Sequence, residues 1–348
     1  MASLIEIKTI DRDFYETRLS DFLPESIIDV HTHVWVGARV ATQRAANWPA
    51  RVAKDNSIED LLETYRLMLP GSRVTPVIFP IPPSGGDLDA LNRYAGESAQ
   101  RHDLPVLIFS SPTWSAGELE ERIMAGGFLG AKPYLSFAPS YLPAEEIRIF
   151  DFLPRHQLEV LNDHGWIVML HIPRPGRLRD PVNLAQMLEI EQRYPNVTLI
   201  IAHVGRAYCS EDVGDAFDVL APTKQMLFDI SANTNEEVFR SLIRAVGPRR
   251  ILFGSDMPIL RMRMRRICEG GRYVNLVPKG LYGDVSADPN MGELDGDEAE
   301  RLSFFLYEEI DAFRRAAEAE GLTSGDVKDV FYNNAVRILD DVRGGAEA

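Results

Sequence analysis

The sequence predicts an α/β protein: a (β/α)8 TIM barrel with an N-terminal arm and C-terminal helices. Three observations predict it. Eight short, β-branched and apolar runs recur along the 348 residues, each bounded by turn-forming residues. Segments with helical spacing of apolar residues lie between them, and strand-then-helix repeated eight times is the pattern of this barrel. Polar residues suited to metal or acid–base chemistry stand at the ends of the first, fourth, fifth, sixth and eighth runs. A doubly wound open sheet is the competing arrangement, but only closure brings all of those ends around one mouth.

The elements follow in order. Residues 1–25 read as an arm with a helix from Asp11 to Asp21, ahead of a single domain over 26–340. The strand runs are Ile27–Trp35, Arg73–Ile81, Pro105–Ser110, Phe128–Tyr134, Trp166–Ile172, Val197–Val204, Gln225–Ser231 and Ile251–Ser255. They are continuously apolar more than alternating, as expected of strands covered on both faces. Ser57-Ile58-Glu59-Asp60 opens a helix with a serine N-cap and acids in its first turn. Further helices are expected over Asp87–His102, Ala116–Ala125, Pro143–His164, Pro181–Tyr194, Ser210–Leu220 and Asn235–Val246. Residues 257–296 form a long connection rich in Arg, Gly and Pro, and structureless loops of that length in a compact domain are functional or disordered. Helices from Gly296 to Glu320 and from Ser324 to Leu339 follow, the second with Ser324 as N-cap, and the tail over 341–348 is expected to fray.

Composition narrows the function classes. Hydrophobic residues make up 45 % of the chain and charged residues 26 %, an ordinary balance for a soluble enzyme. A formal charge of -15 would repel a nucleic-acid backbone, so no nucleic-acid partner is expected. Two cysteines, Cys209 and Cys268, imply no disulfide framework, and a reduced cytoplasmic setting is the simpler reading. Residues 1–21 contain no apolar signal-like stretch, and no apolar run approaches the ~20 residues that span a bilayer. Neither secretion nor a membrane partner is expected.

The first strand ends in His31-Thr32-His33, just after Asp29. Histidines two apart on a strand point to one face, so both can reach one ion. The fifth and sixth runs end on His171 and His203, and the eighth on Asp256, where a buried carboxylate needs a partner that a metal would supply. His102, His156 and His164 lie in helical or connecting segments and read as structural.

Taken together, "IIDVHTHVW", "FLGAKPY", "VMLHIPR", "IIAHVG", "ILFGSDMP" and the closing "DVKDVFYNNAVRIL" resemble the amidohydrolase superfamily. More narrowly, they resemble its amidohydrolase-2 branch, which includes the aminocarboxymuconate semialdehyde decarboxylase-like proteins. The resemblance implies that His31, His33, His171 and Asp256 hold a divalent metal, Zn²⁺ first and Mn²⁺ second. It also implies that Asp256 exchanges a proton with water at the metal, and that His203 polarises the substrate, acts as acid or base, or, as in two-metal relatives, binds the second ion. Lys132 on the fourth run has two functional readings. As a carbamate it would bridge two metals; as a cation it would bind a substrate carboxylate beside one. Pro133 after it departs from the branch's commoner pattern.

Substrate contacts are expected from Tyr134, from Arg174 just past His171, and from Arg261 or Arg263 in the Arg-rich stretch after the eighth strand, since guanidinium binds carboxylate bidentately. Trp35 and Trp48 are further candidates for pocket walls. Two reactions fit the same residues: hydrolysis of an ester, lactone or amide of a small anionic or polyhydroxylated compound, or decarboxylation of a small acid. Hydrolysis is preferred as the more general activity of the resembled superfamily. A non-catalytic binding barrel would be expected to have lost some of these positions, and none is lost. A homo-oligomer, specifically a dimer, is expected by the same analogy.

Overall fold

The computed structural model describes residues 4–37, 51–81 and 87–346. Eight parallel strands form its centre: β1 (Ser26–His33), β2 (Arg73–Phe79), β3 (Ile108–Ser110), β4 (Gly130–Pro133), β5 (Ile167–Leu170), β6 (Thr198–Ile201), β7 (Leu227–Asp229) and β8 (Ile251–Leu252). β3 to β8 pair in sequence order as one sheet, and β1 pairs with β2 from Ser26↔Arg73 to His33↔Phe79. The two sheets join at both seams. Ile78 N–H donates to Pro105 O at 3.0 Å and Leu107 N–H to Ile78 O at 3.0 Å, linking β2 to β3. Val30 N–H donates to Phe253 O at 3.0 Å, Asp256 N–H to His31 O at 2.8 Å and His33 N–H to Met257 O at 3.0 Å, linking the eighth strand to the first. The sheet is thus a closed barrel, as the strand-end polar residues required.

All eight expected strands are present, each shorter than its apolar run: most lose residues at the C-terminal end, whereas β3 loses Pro105 to Leu107 at its start. The helices between them start where short polar side chains cap them. Ser57 accepts from Asp60 N–H, Asp87 from Ala90, Ser115 from Glu118, Asp180 from Val182 and Asn183, and Asn235 from Val238.

Several elements differ from expectation. The single helix expected over Pro143–His164 is two, Ile149–Phe152 and Arg155–Asp163, because Pro154 has no N–H to continue the first and instead stands as N-cap of the second. Ser210–Leu220 breaks into Ser210–Asp212 and Ala216–Leu220, with Gly214 at φ 54 between them. The arm helix begins at Thr9 and becomes a π-turn over Tyr15–Leu19.

The connection after β8 is not structureless. It carries β9 (Arg265–Glu269), β10 (Arg272–Pro278) and β11 (Met291–Leu294) in a second small sheet. Gly270 and Gly271, both at positive φ, form the β9–β10 turn, the hairpin signal that the Arg-rich composition masked. The helix expected from Gly296 is interrupted at 301–304, where the backbone pairs with 262–264 instead: Met264 N–H donates to Ser303 O and Phe305 N–H to Met262 O. The last helical segment is capped by Thr323, not Ser324, and continues through a π-turn to Ala346, beyond the expected end at Leu339.

Cys209 and Cys268 are disulfide-bonded, where the sequence implied no disulfide framework. Their separation of 59 residues along the chain hid the pairing, because nothing in the sequence places β9 over the loop after β6. No described helix is long and apolar enough to cross a membrane.

Candidate metal centre

Six strands, β1 and β4 to β8, build the site. β1 turns His31 and His33 to one face, and both are buried. His31 Nδ1 lies 2.8 Å from Asp229 Oδ2, and its Nε2 lies 3.6 Å from Asp256 Oδ1. His33 Nδ1 lies 2.8 Å from the Pro80 carbonyl oxygen, and its Nε2 lies 3.2 Å from the same Asp256 oxygen. An ionised carboxylate and a carbonyl only accept hydrogen bonds, so in each ring Nδ1 carries the proton and Nε2 aims its lone pair at Asp256. Two imidazole lone pairs and a carboxylate oxygen facing one point leave room there for a divalent cation.

His203 follows β6 at φ 57 and Asp256 follows β8 at φ 55, both in the left-handed region that non-glycine residues enter at a cost. That turn swings the two side chains off their strands toward the barrel axis. Among the described residues, His31, His203 and Asp256 each offer a ligand atom within 4.8 Å of one another. The rings make a continuous series. His31 and His33 have centroids 5.7 Å apart, His31 and His203 4.7 Å, and His203 and His171 5.3 Å; Tyr134 stands 5.3 Å beyond His171. His171, half-buried past β5, lies outside the tightest group, and its Nδ1 has no hydrogen-bond partner.

The electrostatics suit a cation. Burial, with the Lys132 charge, pushes His31 down to about 3, and burial likewise holds His171 and His203 below the usual histidine range. Neutral imidazoles with free lone pairs are what a metal requires. Burial opposes ionisation of Asp256, but His33 and the neighbouring imidazoles outweigh it and hold the carboxyl at about 2. Nitrogen and carboxylate donors in a dry pocket therefore fit Zn²⁺ or Mn²⁺.

Lys132 sits on β4, 1 % exposed, its Nζ without a hydrogen-bond partner and 5.4 Å from the Phe79 ring centroid. Burial lowers it to about 8, against the pull of Asp229 and Asp256. Pro133 keeps its place in the strand, opposite Ser110.

The other expected contacts are distributed differently. Arg174 turns to Asp180, the cap of the Pro181–Arg193 helix. Arg261 donates to Asn56 Oδ1, and its Nε is buried without a partner. Arg263 is bidentate on Asp11 at 2.8 and 2.7 Å and also donates to Leu302 O, so it anchors the N-terminal arm. Trp35 packs with Ile81 and Leu91, and Trp48 lies outside the described residues.

Two site residues escaped the sequence reading. Asp229, at the end of β7, holds His31; its signal was a lone acid inside the apolar run Leu227-Phe228-Asp229-Ile230. Arg206, three residues past His203, donates to the Ile172 and Pro173 carbonyls and depresses His171 by its charge.

A family model described as amidohydrolase (Amidohydro_2) matches residues 28–269. A search of curated proteins found no match. Among solved structures, an amidohydrolase from Burkholderia multivorans with bound zinc superposes with a TM-score of 0.57 at 16 % identity, covering 90 % of this chain and 98 % of that one. A probable 2-pyrone-4,6-dicarboxylic acid hydrolase from Acinetobacter baumannii, with citric acid bound, gives 0.54 at 17 % identity over 90 % and 98 %. A dihydroxybenzoic acid decarboxylase from Polaromonas sp. JS666, with manganese and 2-nitroresorcinol bound, gives 0.52 at 16 % identity over 91 % and 97 %. At these identities the likeness is one of fold.

Proposed function

From the premise that this chain belongs to the amidohydrolase family, we propose that it is a metal-dependent hydrolase of an ester, lactone or amide in a small anionic or polyhydroxylated substrate. The observation that carries this reading is the convergence of His31 Nε2 and His33 Nε2 on one oxygen of Asp256, with His203 beside them. His31, His33, His171 and Asp256 would hold the ion. When bound, a divalent metal supplies Lewis acidity that makes water acidic enough to attack near neutral pH. The chain's own groups do the rest. Asp256, ionised across the neutral range, accepts a proton from the attacking water. Lys132, with no partner of its own, offers a buried cation to a substrate carboxylate or developing oxyanion.

Lys132 also supports the second reading, decarboxylation of a small carboxylic acid, because an unpaired buried ammonium seats the carboxylate that would leave. One ion is proposed if Lys132 stays an amine, and two if it is carbamylated.

Elemental analysis of protein purified without chelator tests the proposal, with the His31→Ala/His33→Ala variant as control. At least one zinc or manganese per chain is expected in the wild type and little in the control. Asp256→Asn should lower turnover by more than about 100-fold with the fold intact. A wild type that carries no more metal than the control and cannot be reloaded ends the metalloenzyme reading. Products from a panel of lactones and carboxylic acids then separate the two reactions.

A further inference from the structure

Resting on that reading, we propose that Asp229 is a positioning residue serving two histidines at once, and that through Ser231 it fixes His203 as a proton acceptor with Nε2 free. Asp229 is fully buried, and hydrogen-bond donors converge on both of its oxygens. Its Oδ2 receives His31 Nδ1 at 2.8 Å. Its Oδ1 receives His203 N–H at 2.8 Å, Ser231 N–H at 3.1 Å and the Ser231 hydroxyl at 2.5 Å.

The bond order follows from donor counting. A carboxylate cannot donate, so the single hydroxyl proton of Ser231 goes to Asp229. Ser231 Oγ then has only lone pairs to offer His203 Nδ1, 2.9 Å away, and the Ser231 carbonyl, 3.1 Å from the same nitrogen, also only accepts. The proton between them must therefore sit on His203 Nδ1. The remaining lone pair of the neutral ring is on Nε2.

The other oxygen of the same carboxylate imposes the same tautomer on His31. One residue thus aligns two rings whose centroids are 4.7 Å apart, one directly and one through a hydroxyl. It also grips the backbone N–H of His203, the residue held at φ 57.

His203 accordingly enters the reaction as a base. While Asp256 takes the proton of the attacking water, a second proton moves from a substrate hydroxyl to His203 Nε2; that O–H bond breaks and its electron pair stays on the substrate oxygen. The imidazolium formed keeps its Nδ1–H on Ser231, where Asp229 stabilises it.

The tautomers can be read in metal-free, full-length, ¹⁵N-labelled protein from long-range ¹H–¹⁵N correlations. His31 and His203 are both expected as the Nδ1–H form. In Asp229→Asn one acceptor oxygen replaces two, so at least one of the two rings should change tautomer, and metal affinity or turnover should fall about 10–100-fold. Ser231→Ala cuts the second arm, and with it a longer 3.4 Å contact of the hydroxyl with His31 Nδ1, while Asp229 keeps its direct 2.8 Å hold on that ring: kcat should drop about 10-fold or more with metal content and KM unchanged, and Ser231→Thr should restore it. An Nε2–H form of His203 in the wild type, or a Ser231→Ala variant with full kcat, overturns the proposal. Metal content is not part of the tautomer measurement, so a failure of the metalloenzyme reading would be seen separately.

Discussion

Lys132 carries the most consequential alternative in the site, amine or carbamate, and its protonation offers the test. The amine is buried, lacks a hydrogen-bond partner and titrates near 8, whereas in the unfolded chain it would hold its proton to 10.5. Between those values the unfolded state binds more protons, so stability should rise with pH across that window, by on the order of 3 kcal/mol in total. Lys132→Met should abolish this rise, which denaturant midpoints at pH 7.5 and 10 would reveal. An anionic substrate held by the ammonium should show KM climbing as pH passes about 8. A carbamylated lysine has no ammonium to lose; equal pH dependence in wild type and variant would therefore favour the two-metal arrangement.

At this scale the sequence was legible where a residue type is rare and placed at a strand end, as with His31, His33, His203 and Asp256. It was silent about Asp229, whose meaning depends on the hydrogen bonds it makes across the barrel.

Among the elements, the buried strands were readable because parallel strands covered on both faces must be apolar throughout. Their helices were readable because polar caps announce them. What resisted reading were the interruptions, each set by a backbone event. Pro154 splits one helix, and residues 301–304 leave another to pair with 262–264.

Gly130 is a position where an element's geometry admits one residue. It opens β4 at φ 150, and a Cβ there would lie 2.1 Å from the carbonyl oxygen of Ile167 on β5. Ile167 is backbone in a paired strand and cannot yield without opening the β4–β5 seam. Gly130→Ala should therefore cost about 3 kcal/mol or more, at the upper end for an overpacked core, and should displace Lys132 two residues on. A thermal midpoint within a degree of wild type would contradict this. Gly127→Ala, where nothing lies within 4 Å of the added carbon although φ is +66, supplies the milder comparison.

For the molecule as a whole, closure was implied by the demand that five strand ends share one mouth, and the match over residues 28–269 agrees with it. The small sheet packed beside the ends of β6 and β7 was not implied. The β9–β11 sheet is tied down by Cys209–Cys268 and by Arg266, which stacks over Tyr208 and Tyr273 and donates to the Ala232 carbonyl. Ala232 follows Ser231, so the sheet and the His203 base rest on adjacent residues of one strand end. A cross-link across 59 residues restricts the unfolded chain, worth about 4 kcal/mol by loop-closure entropy. Reduction of the wild type should lower the denaturant midpoint accordingly, and Cys268→Ser should reproduce the reduced value while no longer responding to reductant. Thiol titration of the unreduced, denatured wild type is the direct control. Two free thiols per chain there, with a midpoint indifferent to reductant, would show that the sheet is held by its non-covalent contacts, Arg266 among them, without a cross-link.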